Sequence, residues 1–166
     1  MINIRFPDGA VRQFESGISA LQIAKNISEG LAKKVLVTKV NGEIWDATRP
    51  SYTDASLQLL TWDDAEGKNT FWHSSAHLMA EAVENSFPGA KFWVGPALDN
   101  GFYYDIDLGD NKLSEEDLLI LEKKMNELAK QNNSFNRSER SKADAISYFS
   151  EKGDEYKLDL LQNLED

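Results

Sequence analysis

Ile2-Asn3-Ile4-Arg5-Phe6-Pro7-Asp8-Gly9-Ala10-Val11-Arg12-Gln13-Phe14 decides how the first part of this chain is read. Ile2, Ile4 and Phe6 alternate with Asn3 and Arg5, the two-residue period of a strand buried on one face. Pro7-Asp8-Gly9 is a turn, and Val11 to Phe14 is the returning strand of a hairpin. Working outward, Ser19 is a helix N-cap, and Leu21, Ile23, Ala24 and Ile27 then mark one helix face, with Gly30 as its stop. Val35 to Val40 is a β-rich run ending at Asn41-Gly42, the dipeptide of a two-residue hairpin turn. A short strand around Ile44-Trp45, a loop with Pro50 and a strand from Leu57 to Trp62 follow. Hairpin, helix, strands is the order of a β-grasp, or ubiquitin-like, fold over residues 1–62.

Residues 63–69 are polar and turn-rich, the composition of a linker. Beyond them, residues 70–166 read as a second unit and make the chain α+β. Thr70 caps a predicted helix from Phe71 to about Ser86, closed by Pro88-Gly89, with Trp72, Ala76, Met79, Ala80 and Val83 as its apolar stripe. Lys91 to Val94 suggests a strand; Gly95-Pro96 and Asp99-Asn100-Gly101 are turns. From Phe102 to Asp107 the pattern alternates again, with Phe102, Tyr104 and Ile106 on one face. Ser114 and Asp117 form a capping box in which Asp replaces the usual Glu or Gln. A long helix follows, with Leu118, Leu121, Met125 and Leu128 as its buried stripe, and Ala143 to Glu151 is a further short helix.

The chain has 166 residues, 28 acids, 18 bases, two histidines and no cysteine. Such a composition, 41% hydrophobic, can bury a core and is not that of a disordered tail. Without cysteine there is no disulfide scaffold, no Cys-ligated zinc and no thiol nucleophile in these residues. The start lacks the basic and apolar regions of a signal peptide, and no apolar run nears the ~20 residues of a membrane span. A soluble, cytoplasmic chain with no membrane partner is expected. The formal charge of -10 argues against nucleic acid at first sight, but it is unevenly spread. Residues 1–62 carry seven bases and six acids, whereas residues 63–166 carry eleven bases and twenty-two acids. No phosphate-cradling glycine loop is present, so ATP chemistry has no visible home.

Both histidines, His73 and His77, fall on one face of the predicted helix, ~5–6 Å apart at Cβ. Two imidazoles can share a metal, relay a proton, or hold a water against an ester carbonyl. Spacing alone leaves open that they are two surface histidines with no joint role. Glu81 and Glu84 lie on a similar face and read as solvated acids. Tyr103 and Tyr104 could stack on a base, although alternating aromatics usually belong to a core. Lys157, in Gly153-Asp-Glu-Tyr156-Lys157, reads by itself as a surface lysine.

Taken together, these residues carry a resemblance. His73-Ser-Ser-Ala-His77-Leu-Met-Ala-Glu-Ala82, followed by Val94-Gly-Pro-Ala-Leu-Asp-Asn-Gly-Phe-Tyr-Tyr-Asp105, resembles the start of the editing domain of bacterial threonyl-tRNA synthetases. The first sixty residues look like the TGS domain that precedes it, a β-grasp module shared with certain GTPases and stringent-response enzymes. The helix after Leu113-Ser-Glu-Glu-Asp117 and the 153–157 segment match as well, so the resemblance covers essentially the whole chain.

The resemblance implies a fold, a β-grasp TGS domain followed by part of an α+β editing domain of the threonyl/alanyl-tRNA synthetase type. It also implies a ligase that joins threonine to tRNA using ATP. One methyl is worth only ~1–3 kcal/mol of discrimination, so serine is mischarged and a second site hydrolyses the error. In that site His73 and His77 would position the water and the aminoacyl ester. Lys157 would hold the terminal ribose or steady developing negative charge. Tyr104 would lie beside the terminal adenosine of the tRNA acceptor end, with Gly95 on the adjacent turn. ATP with Mg2+, a zinc ion and the contacts of a homodimer would belong to domains not present here, and no metal is expected at the residues in hand.

The chain departs from that family by lacking a Cys-x-x-x-His motif, which would supply the other half of the editing site. It also lacks the class II synthetase motifs. Its final residues, through Asp166, are still in a helical pattern, so an N-terminal fragment with little or no activity of its own is expected. A freestanding trans-editing hydrolase and a non-catalytic TGS-type binding or regulatory module are the alternatives.

Overall fold

A computed structural model of the protein describes residues 1–164; the helical pattern expected through Asp166 lies, in its last two residues, outside the described residues. The chain divides into two compact units, Met1–Trp72 and His73 onward.

In the first unit, β1 (Ile2–Arg5) and β2 (Val11–Phe14) form the predicted hairpin, with Ile2 opposite Phe14 and Arg5 opposite Val11. β3 (Ile18–Ser19) leads into α1 (Ala20–Ile27), where Ser19 accepts from the Gln22 N–H while the Gln22 side chain bonds back to the Ser19 N–H. Gly30 does not stop this helix. Ser28, in extended backbone, ends α1 and at once caps α2 (Glu29–Ala32) through its hydroxyl, so Gly30 lies inside the second helix.

β4 (Val37–Val40) and β5 (Glu43–Trp45) are joined by Asn41 and Gly42 alone, both at positive φ (51° and 89°), the backbone that Asn-Gly supplies at least cost. β6 (Pro50–Ser51) pairs with β3, and β7 (Ala55–Leu60) completes the sheet. The five-stranded order is β2-β1-β7-β4-β5, with β1 and β7 parallel and the other neighbours antiparallel. α1 packs Ala20 and Ile23 onto Ile2, Ile4, Val40 and Leu57, which is the expected β-grasp. Ile4 and Ile23 are fully buried, contributing roughly 2 kcal/mol each.

The stretch expected to be a linker is largely helical. α3 (Ala65–Ser86) begins well before Phe71, and Thr70 is not its cap but an internal residue whose hydroxyl donates to the Glu66 carbonyl. Gly67 explains the difference. A Cβ there would lie 1.9 Å from the Thr61 carbonyl oxygen, so this glycine lets the first turns of the helix press against the end of β7. The Lys39–Glu66 ion pair at 2.6 Å joins the same helix to β4. The compact unit Met1–Trp72 thus takes in the first turns of this helix as well as the β-grasp strands.

In the second unit, β8 (Lys91–Phe92), β9 (Ala97–Leu98), β10 (Gly101–Phe102) and β11 (Ile106–Asp107) pair as two short ladders, β9 with β10 and β8 with β11. The alternating run 102–107 is shared between the two ladders, because the chain leaves one partner and joins the other at Tyr103–Asp105. The alternation itself holds, with Phe102, Tyr104 and Ile106 half-buried and Tyr103, Asp105 and Asp107 exposed.

α4 (Glu115–Gln131) starts at the predicted Ser114/Asp117 capping box. Its Leu121 and Leu128 meet Ala82 and Val83 in the core of this unit, while Leu118, expected in the stripe, is 55% exposed. α5 (Lys142–Lys152) and α6 (Glu155–Gln162) follow. Among the described residues no helix is long and apolar enough to cross a membrane.

Candidate functional site

Four residues is just over one helical turn, so α3 presents His73 and His77 side by side. Their ring centroids are 4.8 Å apart and the planes are tilted by 48°. Ala76, Ala82 and Val83 on the same helix are buried, which anchors it and leaves both histidines on the accessible side. The imidazole of His77 is held below the ordinary histidine pKa of 6.5, first by partial burial of the ring, then by the positive charges of His73 and Lys157. His77 is thus biased toward the neutral form, which can accept a proton.

Lys157 reaches this neighbourhood through a helix break. Gly153 caps α5 at φ 66°, a left-handed conformation, and Asp154 caps α6 by accepting from the Lys157 N–H at 3.0 Å. That places Lys157 in the first turn of α6. Its ammonium donates to the backbone carbonyl of Trp93 at 2.7 Å. The neighbouring Tyr156 hydroxyl donates to Asp107 Oδ2 at 2.9 Å, and the Tyr156 ring stacks on Trp93 with centroids 6.2 Å apart and planes at 24°. Asp107 is held below the usual carboxylate range by the Gly109 N–H and then by this hydroxyl.

Gly95 and Tyr104 meet directly. A Cβ on Gly95 would lie 2.4 Å from Tyr104 Cδ2, so the glycine is what lets the ring cross the turn after β8. The ring also meets Phe92 edge-on at 5.6 Å. Burial, and then the negative charge of Asp154, pushes the Tyr104 hydroxyl pKa up. The start of α6 therefore acts electrostatically on His77 through Lys157 and on Tyr104 through the cap residue Asp154.

The five residues singled out from sequence fall into two pairs, His73 with His77 and Gly95 with Tyr104, and one lysine. Tyr103 stays 48% exposed, and Glu84 acts on Lys152, whose pKa is raised first by Tyr148. Missed from sequence were Asp107, Tyr156, Trp93 and Asp154. Only Asp154, an acid just after the helix-stopping Gly153, carried a local signal, that of an N-cap.

Residues 2–61 match the model of the TGS domain, so the β-grasp unit contains a TGS domain. Over all 166 residues the chain is 58% identical to a threonine–tRNA ligase of Cytophaga hutchinsonii, 51% to one of Parabacteroides distasonis and 49% to one of Bacteroides thetaiotaomicron. The chain is a relative of threonine–tRNA ligases along its entire length, and it spans about a quarter (26%) of the length of these relatives.

Proposed function

We propose that this chain forms the TGS and editing region of a threonine–tRNA ligase, and that the face carrying His73, His77 and Lys157 hydrolyses serine wrongly joined to tRNA. The observation that carries this is the His73–His77 ring pair at 4.8 Å on one face of α3, with the positive charge of Lys157, from a distant part of the sequence, helping to bias His77 toward the neutral form. In this reading neutral His77 takes a proton from water as the water oxygen bonds to the ester carbonyl carbon. The Lys157 ammonium steadies the negative charge that develops on the carbonyl oxygen, or holds the terminal ribose. The ester bond then breaks, and the ribose oxygen leaves with a proton. Tyr104, seated by Gly95, lies beside the terminal adenosine of the acceptor end.

Joining threonine to tRNA, with ATP, Mg2+ and zinc, belongs in this reading to other parts of a longer ligase. Among the described residues no three His, Asp or Glu side chains cluster as a metal site. The test is a ligase carrying this segment. His73→Ala should leave threonine joining intact and abolish hydrolysis of seryl-tRNA; unchanged hydrolysis overturns the proposal. The 166-residue chain by itself is expected to hydrolyse seryl-tRNA little or not at all.

A further inference from the structure

Lys157 sits on a helix that must be held against the β8/β11 ladder if its ammonium is to stay near the histidines. Its own bond, to the Trp93 carbonyl, fixes only the tip of a long flexible chain. The first turn of α6 has further ties. Tyr156 donates to Asp107 Oδ2, and the Tyr156 ring lies on Trp93, the same residue whose carbonyl takes the lysine. An exposed ion pair, Lys91 to Glu155 at 3.3 Å, adds little. A hydrogen bond to a charged acceptor is stronger than a neutral one, and the Gly109 N–H on Asp107 keeps that acceptor ionised and oriented. Both sides of the ladder take part, Asp107 from β11, and Lys91 of β8 with Trp93 just after it.

We propose that Tyr156 is a positioning residue: locked to Asp107 and stacked on Trp93, it sets the first turn of α6 so that the Lys157 ammonium stays at the Trp93 carbonyl. This rests on the reading of His73, His77 and Lys157 as the working face. Tyr156 touches no reacting atom in it; it acts through the adjacent lysine.

The test is titration of the two histidines by NMR in the 166-residue chain, which has no others. Lys157→Met should raise the His77 midpoint by removing a positive neighbour. Tyr156→Phe, which deletes only the hydroxyl, should raise it in the same direction, by about half as much or more. Asp107→Ala should behave as Tyr156→Phe, whereas Asp107→Asn, which keeps an oxygen for the hydroxyl, should stay near the parent value. A His77 midpoint that moves in Lys157→Met but not in Tyr156→Phe overturns the proposal, as do equal shifts in the Asn and Ala variants. If the expected shifts appear while seryl-tRNA hydrolysis in the ligase is indifferent to His73, the positioning stands and the assigned reaction falls.

Discussion

The Lys157 ammonium is held by the backbone carbonyl of Trp93 at 2.7 Å, and its positive charge acts on His77. A carbonyl fixes the position of a cation without cancelling its charge, as a carboxylate would. The lysine is therefore both placed and electrostatically available.

Lys157→Met should accordingly lower hydrolysis of seryl-tRNA by roughly 10²-fold in a ligase carrying this segment, mainly in kcat, because the lost interaction is strongest with developing negative charge. Single-turnover kinetics would separate this from weakened binding. A change confined to KM would assign the lysine to holding the ribose alone.

Stability should depend on pH through His77. Its folded pKa lies below the unfolded value of 6.5, so between the two the unfolded chain binds more protons. The contribution is present above pH 6.5 and is lost as the pH falls from there toward the folded value. Urea midpoints measured between pH 5 and 7.5 should drop less steeply on acidification in His77→Gln than in the parent.

Gly67→Ala separates two readings of residues 63–69. In a linker, or in an ordinary helix interior, alanine would be neutral or stabilising by ~1 kcal/mol. Here the added Cβ meets the Thr61 carbonyl oxygen at 1.9 Å, so a net loss of about 2 kcal/mol is expected in urea denaturation.

Gly95→Ala drives a methyl into the Tyr104 ring, with the closest atoms at 2.4, 2.6 and 2.8 Å. It should destabilise the second unit and weaken binding of an aminoacyl-adenosine analogue. Removing the ring relieves the clash, so a double-mutant cycle with Tyr104→Ala should show a coupling of ~1 kcal/mol or more in stability. Additive effects would mean that the two residues do not bear on each other.

Much of the fold was legible because its signals are local. Asn41-Gly42 needs nothing beyond its own backbone to turn the β4–β5 hairpin, and Ser19 and Ser114 cap helices with partners three residues away. The histidine pair was legible for the same reason, since helical periodicity alone puts His73 beside His77. Gly67 misled because its use is a close approach to a carbonyl outside the helix, and Gly30 because a neighbouring serine, rather than the glycine, makes the break.

By itself, then, the sequence determined the β-grasp order, the helix starts at Ser19 and Ser114, the facing imidazoles, and a family resemblance spread along the whole chain. Only the tertiary structure decided that α3 reaches back to Ala65, that Gly95 seats Tyr104, and that Lys157 lies near His77 beside a Tyr156–Asp107 bond. The physical reason is range. Caps, turns and helical faces are set by contacts within a few residues, whereas these pairings bring together distant segments whose meeting depends on how the whole unit packs.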